Sequence, residues 1–280
     1  MSASTPSFKT IIGNQNVRLR GTLHQTDGGL SWVNGSYKDH NGVSLKLEGV
    51  SCAGFSLQNN SGSTAVVGLG YRIPNKYWIA GQWTAVGPVF TNDTTAAQDV
   101  TAGDFALETT TANDGYVVMS RVPFNCIAFN VTTASVDATD PVRAIRYSDA
   151  AGTAWIAMTI TELLVSDGIS AAGEYAAGEN LCVFSRPNNW GRTTVLSGLE
   201  DFPGYYAVNV QATTAPDTTA GLAGSIELWN FPYIKRGVVD AATLEFVPSE
   251  PFLFEHADAV QALFGTLAGD NLVFAQLRNR

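Results

Sequence analysis

"VPFNCIAFNVTTASVDATDPVRAIRYSDAAGTAWIAM", residues Val122–Met158, decides the fold class. Apolar and polar side chains alternate through N-C-I-A-F-N-V (125–131). A polar turn follows, and the alternation resumes in V-R-A-I-R-Y (142–147) and A-W-I-A-M-T (154–159). A period of two sends successive side chains to opposite faces, the pattern of a strand with one face against a core. The habit extends outward in both directions. Downstream lie L-C-V-F (181–184), Y-Y-A-V-N-V-Q-A (205–212) and S-I-E-L-W-N-F (225–231); upstream lie F-A-L-E-T (105–109) and G-Y-V-V-M-S (115–120). Residues 17–90 hold about six more short strands, among them V-S-L-K-L-E-G-V (43–50), A-G-F-S-L-Q-N (53–59) and Y-W-I-A-G-Q-W (77–83), with Asn34-Gly35 and Asn41-Gly42 as hairpin turns.

Strands punctuated this often by Gly, Asn, Asp and Pro indicate an all-β antiparallel sandwich or barrel, not a βαβ fold, and the sandwich is the expectation. Four regions follow. Residues 1–16 form a polar N-terminal arm, 17–92 a small β-rich region, 93–232 the main sandwich, and 233–280 an extended C-terminal tail. In the tail, E-H-A-D-A-V-Q-A-L-F-G (255–265) predicts one short helix stopped by Gly265, and L-V-F-A-Q-L (272–277) a last strand.

The chain of 280 residues is 45% hydrophobic but only 15% charged. A typical domain carries about 25% charged residues. So few charges point to a surface covered by partners. The formal net charge of −9 argues against a nucleic-acid module, which needs Lys and Arg gathered on one face. The charge is uneven. Residues 1–80 hold seven Lys/Arg and three acids, a net +4, whereas 81–280 hold nine Lys/Arg and 22 acids, a net −13. Cys52, Cys126 and Cys182 have no zinc or disulfide-framework spacing. Cys126 and Cys182, inside the apolar runs N-C-I-A-F and N-L-C-V-F, read as buried thiols, which fits a reducing compartment. The start, MSASTPSFKT, has no apolar core of a signal peptide, and no run approaches the roughly 18 apolar residues of a membrane helix.

Chemistry-bearing motifs are scarce. His24, His40 and His256 sit in no metal-ligand spacing, and neither a nucleophile elbow nor a phosphate loop occurs. Glu108, Asp114, Glu162, Glu174 and Glu179 are the acids available to a glycosidase pair, but spacing pairs none of them. Asp93, Asp99 and Asp104 in the connector offer oxygen ligands of the kind calcium takes; turn-forming Asp accounts for them equally well. No catalytic residue, cofactor or metal site is expected. Of six tryptophans, Trp155 and Trp229 read as core, and Trp190, in the loop R-P-N-N-W-G-R (186–192), is the one expected at the surface.

The order of segments from residue 82 to 230 resembles a group of structural proteins of tailed bacteriophages. Four segments carry the likeness: V-P-F-N-C-I-A-F-N-V, V-R-A-I-R-Y…A-W-I-A-M, R-P-N-N-W-G-R-T-T-V and G-Y-Y-A-V-N-V. The resemblance implies a jelly-roll-like β-sandwich and a non-enzymatic virion role, foremost a head decoration or cement protein that bridges capsomers. The partners implied are the major capsid protein and further copies of this chain, as a homotrimer or other symmetric oligomer. No nucleic acid or membrane partner is expected. The implied location is the capsid surface, after assembly in the host cytoplasm. Lys9, Arg18 and Arg20 are the expected capsid or intersubunit contacts. An alternative is a glycan-binding adhesion module of the tail or a fibre, using Trp190, Arg186 and Arg192; a tail or baseplate accessory protein is a third reading.

Overall fold

The computed structural model describes residues 65–99, 101–109, 111–136, 143–159, 163–166, 175–214, 219–239 and 242–246, together with the strand segments 11–13, 16–25, 29–30, 50–58, 252–253, 260–266 and 269–279. The chain divides into two compact units, Asn75–Trp229 and the pair Met1–Pro74 with Asn230–Arg280.

The first unit is an antiparallel β-sandwich. Its elements are Trp78–Thr84 (β1), Val89–Asn92 (β2), Thr94–Gln98 (α1), Phe105–Ala106 (β3), Gly115–Ser120 (β4), Cys126–Thr133 (β5), Arg143–Ser148 (β6), Trp155–Ala157 (β7), Leu163–Ser166 (β8), Gly178–Phe184 (β9), Tyr206–Ala212 (β10) and Leu222–Val238 (β11), the last as far as Trp229. One sheet runs β7-β6-β10-β4-β1-β2; the other runs β8-β9-β5-β11, with β3 added on β11. Every register given for these pairs is antiparallel, for example Val118 opposite Val208 and Phe129 opposite Ile226.

The sequence pattern explains the core. Tyr116 projects from β4 and Phe129 from β5, on the facing sides of the two sheets. Phe105, Tyr116, Phe129 and Tyr175 form a chain of edge-to-face rings with centroids 5.9–6.0 Å apart. Edge-to-face pairs of this kind add about 0.5–1.5 kcal/mol each beyond area burial. The alternation in β4 predicts one wet face, yet all six residues of β4 are buried. The chain itself covers the second face: Leu196 and Leu199, with Phe202 beside them, pack on Trp83, Val117, Met119 and Ala207.

Cys126 lies opposite Val183 and Cys182 opposite Ile127. The one-residue offset puts the two sulfurs on opposite faces, so they cannot bridge to each other. Both are buried thiols.

The second unit joins the two ends of the sequence. Asn16–Gln25 pairs along ten residues with Gly269–Asn279, which pairs in turn with Val50–Gln58. Thr243–Phe246 and Phe252–Leu253 add to Val50–Gln58. Ala65–Ile73 pairs with Val260–Thr266, and the Asn230 side-chain amide donates to the Tyr71 hydroxyl at 2.8 Å.

These observations correct several expectations. The sandwich unit starts at Asn75, not 93, because β1 and β2 pair into its first sheet. Residues 233–280 are not a separate tail but share a unit with the N-terminal segment. Where a helix was expected over 255–265, Val260–Thr266 is a strand; the apolar run A-L-F fits either element, and six register pairs with Ala65–Ile73 decide the matter. The arm expected to reach residue 16 contains the strand Ile11–Gly13. The strand expected over 105–109 ends at Ala106, since Glu108 turns into the core. The polar connector 91–104 contains one short helix, α1, with Ala96 and Ala97 buried. V-S-L-K-L-E-G-V (43–50) lies, but for Val50, outside the described residues. Among the described residues, no helix is long and apolar enough to cross a membrane.

Candidate functional site

Charged groups are few, so their placement is informative. Segment 75–229 holds six Lys/Arg against sixteen Asp/Glu. One of the six, Arg143, is deep in the sandwich. Its guanidinium pairs with the Glu108 carboxylate, both side chains being 1% exposed. The guanidinium lies over the Tyr175 ring, 4.6 Å from the centroid, and Glu108 Oε2 also accepts the Gly221 backbone N–H at 3.0 Å. Tyr175 and Tyr116 share a hydrogen bond between their hydroxyls at 3.2 Å. Burial pushes the Tyr175 hydroxyl up to about 12, against an opposing pull from Arg143, and burial raises Tyr116 well above the usual phenol range. Both phenols stay neutral at physiological pH, and Glu108 is committed to Arg143. This cluster braces the two sheets. Asp114, another acid considered for hydrolysis, is also buried and accepts the Ala85 N–H at 2.8 Å.

Two connector acids are engaged by threonines, Asp99 within its own turn and Asp104 across to β5. Asp99 accepts the backbone and hydroxyl of Thr101 at 2.9 and 2.8 Å, and Asp104 accepts the Thr132 hydroxyl at 2.8 Å. Asp99 is held below the usual carboxylate range by the Thr101 N–H. Among the described residues, no three His, Cys, Asp or Glu side chains gather as a metal site.

Four of the six cations of segment 75–229 occur in segments that converge on one end of the sandwich. The loop between β4 and β5, the loop after β9 and the 3-10 turn Asn75–Tyr77 meet there. Trp190 closes that end. It is only 8% exposed, which overturns the expectation of a surface ring. The reason is local. Its indole N–H donates to the Ser148 hydroxyl at 3.1 Å and to the Ala207 carbonyl at 3.2 Å, while Phe124, Phe184 and Tyr206 surround it edge to face at 5.1–5.9 Å. A tryptophan whose polar edge is satisfied inside has no reason to stay in water.

Tyr206 links the inside to the outside. It touches Trp190 on one side, and the exposed Arg192 guanidinium lies 5.3 Å from its ring centroid. The neighbouring Tyr205 carries Arg121 in the same way, at 5.3 Å, and its hydroxyl accepts from Arg121 Nε at 3.3 Å. Arg192 Nη2 reaches the Arg121 carbonyl at 3.5 Å. The Arg121 N–H donates to the Tyr77 carbonyl at 2.9 Å, and Lys76 Nζ sits over the Tyr77 ring at 4.9 Å. Arg186 is exposed in the loop between Phe184 and Trp190. A Cβ on Gly152 (φ 70°) would collide with the Arg192 carbonyl, and Thr194 donates to the Gly152 carbonyl at 2.9 Å. The β6–β7 turn is therefore fitted to the backbone that presents Arg192.

Among the described residues, no carboxylate pairs with Arg121 or Arg192. Asp149, in the adjacent turn, is occupied: it accepts the Thr153 and Ala154 N–H groups at 2.7 and 3.0 Å, which hold its carboxyl low. The sequence pointed to Arg186 and Arg192 but missed Arg121, Tyr205 and Tyr206. The available signal was the Tyr-Tyr pair, which puts two adjacent rings at a strand start. Lys9 lies outside the described residues; Arg18 and Arg20 lie in the strand Asn16–Gln25.

No family model matches the chain, and no curated protein matches it. Among solved structures it is similar to a chain from the structure of infectious bursal disease virus Gx strain, at 8% identity and a TM-score of 0.17, over 98% of this chain and 80% of that one.

Proposed function

We propose that this chain is a non-enzymatic structural protein of a tailed-phage particle, foremost a head decoration protein that binds the assembled shell and bridges capsomers. One observation carries the reading most of the way. The phage resemblance covers residues 82–230, and the compact antiparallel sandwich covers 75–229. The likeness therefore coincides with a physical module rather than with scattered strands. The module also has the properties that such a role needs. Its core is filled by interlocked rings, one sheet face is covered by its own chain, and its buried acids Glu108 and Asp114 are spent on Arg143 and on the Ala85 N–H. A standard contact buries about 1,600 Å², and many symmetric copies multiply the effect. Jelly-roll-like winding, a homotrimer and a place on the capsid surface belong to the same proposal.

The adhesion reading relied on an accessible Trp190 ring and loses it. The proposed role is tested on purified shells that lack the protein. Added full-length chain is expected to coat the head evenly in electron micrographs. Density confined to the tail, or no binding at all, would overturn it. Substituting Lys9, Arg18 and Arg20 with Gln is the sharper form. Deletion of 1–20 would also remove part of a strand that pairs with Gly269–Asn279, so it would not isolate the charges.

A further inference from the structure

We infer that the end of the sandwich built from Arg121, Arg192, Tyr205 and Tyr206 is a docking surface for an acidic segment of a protein partner. The inference rests on the proposed function only in taking the partner to be a protein.

Two guanidinium groups lie at this end of the sandwich, each laid on a tyrosine ring, and among the described residues no carboxylate pairs with either. A chain rich in acids has every opportunity to neutralise such cations. Segment 75–229 offers sixteen Asp/Glu, yet the one in the adjacent turn, Asp149, is engaged by backbone N–H groups. Arg143 shows what the same chain does when it supplies the anion itself: a guanidinium on a tyrosine ring, closed by Glu108. Arg121 and Arg192 repeat the first half of that arrangement and leave the anion to come from outside. Lys76, exposed on the Tyr77 ring beside the Arg121 backbone, extends the positive field.

The side chains are also held in place. The Tyr205 hydroxyl and ring orient Arg121, and the Tyr206 ring orients Arg192, so part of the ordering cost precedes binding. A planar guanidinium edge matches a carboxylate with two parallel hydrogen bonds. Tyr and Arg together are the residues most enriched at protein interface hot spots. A nucleic acid fits less well. It needs cations that follow several successive phosphates, whereas this patch is short and the exposed Glu200 and Asp201 lie in the loop that leads into Tyr205.

The test uses the full chain and a labelled hexaglutamate peptide, read by fluorescence anisotropy at low salt and at about 0.15 M, where the screening length is about 8 Å. Hexaglutamine, heparin and a single-stranded oligonucleotide are the comparison probes. Arg121→Gln and Arg192→Gln are each expected to weaken hexaglutamate binding about tenfold. Lys235→Gln, which removes an exposed cation of the other unit, is expected to leave it unchanged. Circular dichroism checks that the variants fold. Absence of hexaglutamate binding, equal binding by the arginine variants, or tighter arginine-dependent binding of heparin or the oligonucleotide would overturn the inference. Shells bound as well by the double arginine variant as by the parent would confine failure to this surface. Peptide binding intact with no shell binding would count against the proposed function alone.

Discussion

Arg143 and Arg192 make the same first contact and meet opposite fates. Each lays its guanidinium on a tyrosine, Tyr175 in one case and Tyr206 in the other. Arg143 is inside, and Glu108 completes it; Arg192 is outside, and no described carboxylate does. The comparison teaches that burial, not residue type, sets what a cation–ring pair is for. In the low-dielectric centre an uncompensated charge costs several kcal/mol, so the chain must provide the partner. At the surface water bears that cost, and the pair is left open to exchange.

The largest expected effect breaks the inner half of this comparison. Glu108→Ala strands the Arg143 charge and the Gly221 N–H, and should lower unfolding free energy by about 3–5 kcal/mol in urea titrations. A loss below about 1 kcal/mol would show that the pair does not brace the sheets. Next, Trp190→Phe keeps a ring at the closed end but removes the indole donor to Ser148 and Ala207. We expect about 1–2 kcal/mol of lost stability, and weaker hexaglutamate binding through the displaced Tyr206.

A third test uses pH. The Tyr175 hydroxyl titrates at about 12 in the fold against an ordinary 10.0. The folded state thus favours the protonated phenol, and that preference adds stability in full below pH 10. Stability should fall as pH rises from 10 towards 12, and Tyr175→Phe should flatten the fall. An unaltered urea midpoint across that interval would contradict the buried placement. The smallest expected effect concerns the outer half. Arg192→Gln should change stability by less than about 1 kcal/mol while still reducing acidic-peptide binding. A large loss of stability there would erase the distinction between the two arginines.

Much of the sandwich was legible because period-2 alternation is a local signal. N-C-I-A-F-N-V and Y-Y-A-V-N-V-Q-A both became strands close to the expected limits. What failed was non-local. V-Q-A-L-F-G-T fits either a helix or a strand, and only its pairing with Ala65–Ile73 settles it. The Glu108–Arg143 pair spans 35 residues and leaves no trace in spacing. Trp190 was misplaced because a loop position suggests exposure, whereas the Ser148 hydroxyl that draws its indole inward lies 42 residues away. Arg192 was noticed and Arg121 was not, since their shared surface exists only once Tyr205 and Tyr206 lie between the two loops.

The pairing of Asn16–Gln25 with Gly269–Asn279 has a temporal consequence. On a ribosome, Asn16–Gln25 waits for this partner until residues 269–279 have been made, whereas the sandwich has all its strands once residue 229 has emerged. The sandwich should therefore fold before the pairing of Asn16–Gln25 with Gly269–Asn279 is complete.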